Sequence, residues 1–278
     1  MALNKRMTNK DRALYGNEEH ILHLGEQAGT PVVLVHGAVC DTRLWNDLLQ
    51  ELNTGQERIT TVRLPGFWPD VSRQDDFSGD KHVSTLVDVL SQIDEPVHLV
   101  GHSRGGRIAL VAAALCPGLV RSLVLAEPGG VVTSGFYVSE PFAAGVPILQ
   151  VADLVCKGFH NEAVQLYIDS GHGSGTWRSL PPGFQNIIKD NAPTILGMIG
   201  DGSAPLDRAQ ARCLKAPVLL VEGSSSPHQF SRTLDVLAEE LPLSTRRTMN
   251  GAGHFFPIIN PGEFAALLTD WWANIHSG

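Results

Sequence analysis

The sequence predicts an α/β domain built on a doubly wound, mostly parallel sheet, because short apolar strands alternate with helices along the chain. Helical patterns separate the strands, so a parallel sheet covered by helices is expected. The length of 278 residues, with 43% hydrophobic and 18% charged residues, suits one large domain. A further strand or hairpin near His20–Leu24 is compatible with the pattern. The six predicted strands are rich in Val, Ile and Leu: Pro31–Val35, Arg58–Arg63, Val97–Val100, Ser122–Ala126, Pro217–Val221 and Thr245–Met249. The predicted helices are Thr42–Leu52, His82–Gln92, Gly105–Leu115, Phe230–Leu241 and Pro261–Ile275.

One long interval breaks this alternation. Residues 129–206 show helical patterning punctuated by Gly, Pro and Ser, without a convincing strand. A structureless loop of that length is uncommon inside a compact domain, so we expect a helical cap inserted between two strands. The core domain is then 20–128 together with 207–278, and residues 1–19 form an N-terminal tail. The alternative is a surface excursion of helices with no role at the site.

The composition narrows the range of partners. The formal charge is −8 and the pI is near 5.7, and no basic run is longer than Arg246-Arg247, which argues against a nucleic-acid surface. No apolar stretch reaches membrane-spanning length, and the polar start does not resemble a secretory signal. The four cysteines lack metal or disulfide spacing. These features predict a cytoplasmic protein that acts on a neutral small molecule, without a metal.

The sharpest motif is Gly101-His102-Ser103-Arg104-Gly105, a G-x-S-x-G sequence directly after a predicted strand and before a predicted helix. This context suits a nucleophilic serine on a tight turn, where glycines allow close backbone approach and the helix N-terminus favours developing negative charge. We therefore expect Ser103 to be a nucleophile.

A serine hydroxyl is a weak nucleophile and needs a general base. His254 is the best placed of the eleven histidines, since it follows the last strand in the sequence Gly251-Ala252-Gly253-His254-Phe255. His98 and His102 are four residues apart, but a strand position and a position beside the nucleophile do not make a metal site.

Two backbone N–H groups are needed to hold an oxyanion. Arg104 follows the nucleophile and Ala38 lies in the turn after Pro31–Val35, so we expect their N–H groups to form the hole. His36 in the same turn is expected to be structural. The candidate substrate contacts are Val39, Trp68, Trp177 and Phe255.

The strand-His-Gly turn, the Gly101–Gly105 motif and the late G-A-G-H-F-F-P loop together resemble the α/β-hydrolase superfamily, over nearly the whole span from His20 to Ile275. The resemblance implies an α/β-hydrolase fold, a catalytic triad, an oxyanion hole and a cap that lines the substrate pocket, usually with no cofactor.

The acid of the triad departs from the usual pattern. Most members carry an Asp where this sequence has Ser226, and a serine cannot stabilise an imidazolium by charge. We expect Glu127 to replace it, because Glu127 ends an apolar strand beside the nucleophile strand. In this placement the chain is similar to zearalenone-type lactonases and cofactor-free quinolone dioxygenases. Glu222 is the rival, and Asp201 and Asp207 are more distant candidates.

Three function classes follow from these residues. The first is a serine hydrolase that cleaves an ester or lactone of a neutral, largely hydrophobic molecule, with carbon–carbon bond hydrolysis open within the same class. The second is a cofactor-free ring-cleaving dioxygenase, although Cys40 takes the place of a histidine that those relatives carry. The third is a ligand receptor without turnover, which the pairing of Ser103 and His254 argues against.

Overall fold

The computed structural model describes residues 21–24, 29–52, 57–72, 77–133, 136–138, 145–201 and 206–276. The N-terminal segment 1–19 that the sequence sets apart lies outside the described residues. In the described part, no helix combines the length and the apolar character needed to cross a membrane.

A seven-stranded sheet with the order β1-β3-β2-β4-β5-β8-β9 forms the centre of the fold. Only β1 is antiparallel, and it pairs with β3 at one edge. The other neighbours are parallel, which the buried, near-continuous apolar strands favour. A separate two-stranded sheet is formed by β6 and β7. The strands are β1 Ile21–Leu24, β2 Thr30–Val35, β3 Glu57–Val62, β4 Val97–His102, β5 Val120–Ala126, β6 Val131–Thr133, β7 Phe136–Val138, β8 Val218–Gly223 and β9 Ser244–Met249.

Helices flank the sheet, and their apolar faces complete the core. The helix that follows β4, α3, contacts β4 and β5, and α10 contacts β8 and β9. On α12, the Trp272 ring stacks on His98 of β4 with centroids 5.6 Å apart. The helices are α1 Asn46–Glu51, α2 Gly79–Ser91, α3 Arg104–Leu115, α4 Ile148–Cys156, α5 His160–His172, α6 Thr176–Ser179, α7 Pro182–Asp190, α8 Thr194–Ile199, α9 Arg208–Arg212, α10 His228–Glu240, α11 Phe256–Ile259 and α12 Pro261–His276.

The predicted fold class is confirmed, with one correction inside the interval 129–206. That interval is not purely helical, because the hairpin of β6 and β7 precedes α4 to α8. Each hairpin strand is three residues long, which is too short for the alternation that marks a strand in a sequence. The predicted helix Thr42–Leu52 is also divided, since Thr42–Trp45 is a 3₁₀ turn and α1 begins at Asn46.

Candidate active site

The candidate site lies at one edge of the sheet, where parallel strands end together. The register pairs Val35 of β2 with Gly101 of β4, and His102 of β4 with Ala126 of β5. The loops that follow these strands, together with those after β8 and β9, therefore meet at the carboxyl edge. Ligand sites of open α/β sheets form at this edge.

Ser103 occupies the tight turn between β4 and α3. Its backbone has φ 52° and ψ −121°, and the side chain is half-buried. The Ser103 N–H donates to the Ala126 carbonyl at 2.9 Å, and its carbonyl accepts from Gly129 N–H at 2.8 Å. The turn is thus fixed from β5 as well as from its own helix.

His254 and Glu127 form a buried pair. His254 Nδ1 lies 2.6 Å from Glu127 Oε2, and both side chains are 4% exposed or less. The other carboxylate oxygen, Oε1, accepts the Gly223 backbone N–H at 2.8 Å. With Nδ1 occupied by a carboxylate, the Nε2 of His254 is the nitrogen free to act as a base.

Ser226 lies beside the pair of His254 and Glu127 and does not take the place of the carboxylate. Its hydroxyl is buried without a regular hydrogen bond, yet it lies close enough to Glu127 to lower the pKa of that carboxyl. Burial has the larger effect and raises the pKa of Glu127 to about 7, while the Gly223 N–H lowers it. The Ser226 hydroxyl therefore supports a carboxylate that comes from the neighbouring strand β5.

The other acids considered from the sequence have other partners. Glu222 accepts from Arg246 Nε at 2.8 Å and Nη2 at 2.7 Å. Asp207 caps the N-terminus of α9. Asp201 binds the Arg104 guanidinium, as described below.

Burial also determines the protonation state of the His254 ring. Desolvation lowers the pKa of His254 to about 3, so the imidazole is neutral at pH 7. A neutral imidazole can accept a proton, which is what a general base has to do.

The turn after β2 is rigid. Leu64 N–H donates to His36 Nε2 at 3.1 Å, so the ring proton is on Nδ1, which donates to the Gly37 carbonyl at 2.9 Å. This arrangement agrees with the structural role expected for His36. Ala38 is partly buried and follows Gly37 in this turn.

Three non-glycine residues in the described part of the chain have positive φ, and all three belong to this site. They are Val39 at 48°, Ser103 at 52° and Glu127 at 44°. A β-branched residue such as Val39 rarely adopts this conformation. Strained backbone of this kind concentrates at functional sites, where the surrounding structure enforces it.

Arg104 has a side-chain role that sequence reasoning missed. Its guanidinium is 6% exposed, and Nη1 lies 2.5 Å from Asp201 Oδ2. Asp201 Oδ1 also accepts the Gly79 N–H at 2.7 Å, at the start of α2. Arg104 Nη2 lies 2.9 Å from Nδ1 of buried His82. The Arg104 side chain thus connects α2, α3 and the segment that follows α8. No spacing in the sequence indicates its contact with Asp201.

Aromatic rings surround His254. Phe230 stacks on it at a centroid distance of 4.2 Å, and His172 at 4.8 Å. Phe255 lies 5.3 Å from His254 and 5.7 Å from Phe184. Phe255 was expected near the site from the sequence, whereas His172 and Phe230 come from distant helices and were missed.

The two tryptophans expected to contact substrate have different surroundings. Trp68 is 39% exposed, its ring lies 3.9 Å from the Arg43 guanidinium, and its backbone N–H donates to Asn191 Oδ1. Trp177 is 4% exposed, and its backbone N–H donates to Asp169 Oδ1 at 2.8 Å. Neither belongs to the ring contacts described around His254, and their role as substrate contacts stays a prediction. Val39 is buried in the turn after β2.

Comparison with known proteins gives the family. Residues 32–267 match the model of the alpha/beta hydrolase family. The chain belongs to this family. Among the residues described, no group of three or more His, Cys, Asp or Glu side chains is arranged to hold a metal ion.

Relatives of this alpha/beta hydrolase include several enzymes. It is 26% identical over 257 residues to 2-hydroxymuconate semialdehyde hydrolase of Pseudomonas sp. (strain CF600), covering 88% of each chain. It is 25% identical over 271 residues to monoacylglycerol lipase ABHD6 of Bos taurus, covering 88% of this chain and 76% of the lipase. A shorter match, 34% over 108 residues, is to the dihydrolipoyllysine-residue acetyltransferase component of the acetoin cleaving system of Pseudomonas putida, of which it spans 29%. Among solved structures, an esterase of Exiguobacterium antarcticum superimposes with a TM-score of 0.72 at 19% identity, covering 90% of this chain and 94% of the esterase.

Proposed function

We propose that this hydrolase cleaves a carboxylic ester or lactone of a neutral, largely hydrophobic small molecule through an acyl-enzyme. The observation that carries the proposal is the 2.6 Å contact between Glu127 Oε2 and His254 Nδ1, at the same sheet edge as the strained Ser103 turn. A carboxylate, a neutral imidazole and a hydroxyl on a strained turn are the three groups that acyl transfer needs.

Each group has a defined part in the reaction. Ser103 Oγ attacks the carbonyl carbon while His254 Nε2 takes the hydroxyl proton. The N–H groups of Ala38 and Arg104 stabilise the oxyanion, and Glu127 stabilises the imidazolium. Collapse of the tetrahedral intermediate breaks the ester C–O bond, and the leaving alcohol takes the proton from His254. Water then attacks the acyl-enzyme with His254 as base, which releases the acid and restores Ser103. No step calls for a cofactor.

The nature of the substrate is inferred from the surroundings of the base. Phe230, His172 and Phe255 provide an apolar and aromatic lining, and burial keeps the pKa of His172 well below 6.5, so its ring is uncharged. Such a surface suits a neutral substrate. We propose that the segment 129–206 acts as the cap over this site, since His172 of α5 contacts His254.

Carbon–carbon bond hydrolysis is the second candidate. It is favoured by the similarity over 88% of the chain to 2-hydroxymuconate semialdehyde hydrolase. The dioxygenase alternative receives less support. Cys40 is buried, and burial raises the pKa of its thiol far above its ordinary value, so Cys40 supplies no base in the place of the missing histidine.

The test combines labelling with turnover. A fluorophosphonate probe is expected to label the wild-type protein stoichiometrically at Ser103, and Ser103→Ala is expected to abolish labelling and lower turnover by several orders of magnitude. Turnover of aryl esters, lactones and vinylogous ring-fission diketones is measured in parallel. The comparison distinguishes ester or lactone hydrolysis from carbon–carbon bond hydrolysis. Unlabelled wild-type protein, or a Ser103→Ala variant within tenfold of wild-type turnover, contradicts the proposal.

A further inference from the structure

His102 immediately precedes the nucleophile and is bonded to the main chain of the proposed base. It ends β4, is 2% exposed, and its Nε2 lies 2.9 Å from the His254 carbonyl oxygen. A carbonyl only accepts hydrogen bonds, so the ring proton is on Nε2, which donates to His254. Burial lowers the pKa of His102 to about 3, so this neutral tautomer persists at working pH.

The His102 ring also contacts the turn after β2. A Cβ built on Gly37 would lie 3.0 Å from His102 Nδ1 and 3.2 Å from Ser103 Cβ, so a side chain there would crowd both residues. On its other side, the ring centroid lies 4.7 Å from that of His254. One side chain therefore spans three loops: the proposed oxyanion turn, the nucleophile turn and the loop that carries the base.

The loop that carries His254 needs such an anchor. Gly251 and Gly253 precede the histidine, and glycines leave a loop with more backbone freedom than other residues. Glu127 fixes Nδ1 of the His254 ring but not the main chain from which the ring extends. Within this loop, the Gly251 N–H donates to Ser224 Oγ at 2.7 Å, three residues before the base.

We propose that His102 is a positioning residue, whose Nε2–H fixes the His254 main chain and thereby holds Nε2 of His254 within reach of Ser103. The inference rests on the proposed function, in which His254 is the general base. His102 is bonded to the His254 main chain, so its effect on the reaction is transmitted through His254.

Two substitutions at position 102 and one matched control test this role. His102→Phe keeps a planar ring and removes the donor, whereas His102→Gln places an amide N–H near the position of Nε2. The control is His98→Phe in the same strand, because His98 is 1% exposed, is hydrogen-bonded to Ser122 Oγ at 2.7 Å and stacks on Trp272 of α12. The concentration of active sites is measured as the amount of fluorophosphonate label bound at completion. Because kcat is calculated per labelled site, partly unfolded protein does not lower it.

His102→Phe is expected to lower kcat about 10- to 100-fold with KM within about twofold, because a misplaced catalytic group acts on the transition state rather than on binding. The acid limb of its pH–rate profile should move towards pH 6.5, since a released imidazole becomes better solvated. His102→Gln should recover most of kcat. His98→Phe should lower stability and leave kcat per labelled site unchanged.

Wild-type kcat in His102→Phe, or an equal loss in His98→Phe, would overturn the proposal. If His102→Phe does not fold, His102→Asn takes its place, because its shorter side chain cannot reach the His254 carbonyl and should show the same loss. Wild-type kcat in that variant also overturns the proposal. Failure of the proposed function is recognised separately, since Ser103→Ala would then remain active.

Discussion

At the scale of single residues, Val39, Ser103 and Glu127 hold conformations that cost of order 1–3 kcal/mol each. Neighbouring contacts maintain the strained residues that carry proposed catalytic groups. Ser103 is bonded through both N–H and carbonyl, and the Glu127 N–H donates to the Val221 carbonyl at 2.9 Å. For Glu127 the result is that the carboxylate leaves β5 in the direction of His254 instead of continuing the strand.

Replacing Glu127 by Gln tests this carboxylate. The Gln amide can present an N–H to His254 Nδ1, which favours the tautomer with its proton on Nε2, where it cannot accept from Ser103. The analogous change in a serine-protease triad lowers kcat about 10⁴-fold, and we expect a loss of roughly 10²- to 10⁴-fold here, measured as kcat on the best ester.

Glu222→Gln is the matched control for this substitution. Glu222 lies on β8 one residue before Gly223, but it is bonded to Arg246 and to Thr248 at 3.1 Å. We expect kcat within about twofold of wild type, because the Glu222 carboxylate binds Arg246 and Thr248 and not the His254 ring. A larger loss in Glu222→Gln than in Glu127→Gln would reverse the assignment of the acid.

At the scale of elements, α3 and β2 approach each other so closely that only glycine fits at position 105, in the first turn of α3. A Cβ on Gly105 would lie 2.3 Å from the Val35 carbonyl oxygen and 2.4 Å from that of His36. Both atoms belong to the backbone and cannot move aside as a side chain does. The spacing of Gly105 after Ser103 is thus a packing requirement as well as a motif.

Gly105→Ala is therefore expected to lower the free energy of unfolding by about 3 kcal/mol or more, at the upper end of overpacking costs. The control is Gly183→Ala in α7, where a Cβ meets nothing within 4 Å. That change should be neutral or stabilise by up to about 1 kcal/mol. Denaturant unfolding of both variants measures the difference, and similar stabilities for the two would show that the close approach is not enforced.

The central strands β2, β4, β5 and β8 and most core helices could be predicted from the sequence because they bury apolar faces. Ser103, His254 and Glu127 could be singled out because each directly follows a strand or lies in a glycine-rich loop at a strand end. The pairing of Arg104 with Asp201 could not, since it joins residues 97 positions apart that share no periodic pattern. The stacking of His172 on His254 depends on how α5 packs, which a single sequence does not contain.

At the scale of the whole molecule, burial lowers the pKa of five histidines in the described part of the chain, so that their rings are neutral at pH 7. Burial lowers the pKa of His36 to about 4 and that of His102 and His254 to about 3. It lowers the pKa of His82 and His172 well below 6.5. These rings lie in or beside the site, so the fold excludes water from the region where the proposed chemistry takes place.

This set of histidines predicts steep loss of stability in mild acid. Below pH 6.5 the unfolded chain binds protons at these five rings that the folded chain does not, so stability falls as pH falls from 6.5 towards 4. Each ring contributes about 1.4 kcal/mol per pH unit. Glu127 offsets the loss of stability caused by one of the five rings. Its raised pKa lets the folded state keep a proton between about pH 4.5 and 7.

Thermal unfolding at constant ionic strength between pH 8 and 5 measures the effect. We expect the unfolding midpoint to fall steeply below pH 6.5, and His172→Gln to reduce the slope of stability against pH by about one ring's share. Net charge alone predicts the opposite, a rise of stability in acid, since acidification brings the formal charge of −8 closer to zero and relieves repulsion. A midpoint that rises or stays constant down to pH 5 would therefore show that the buried histidines do not govern the acid stability of the fold.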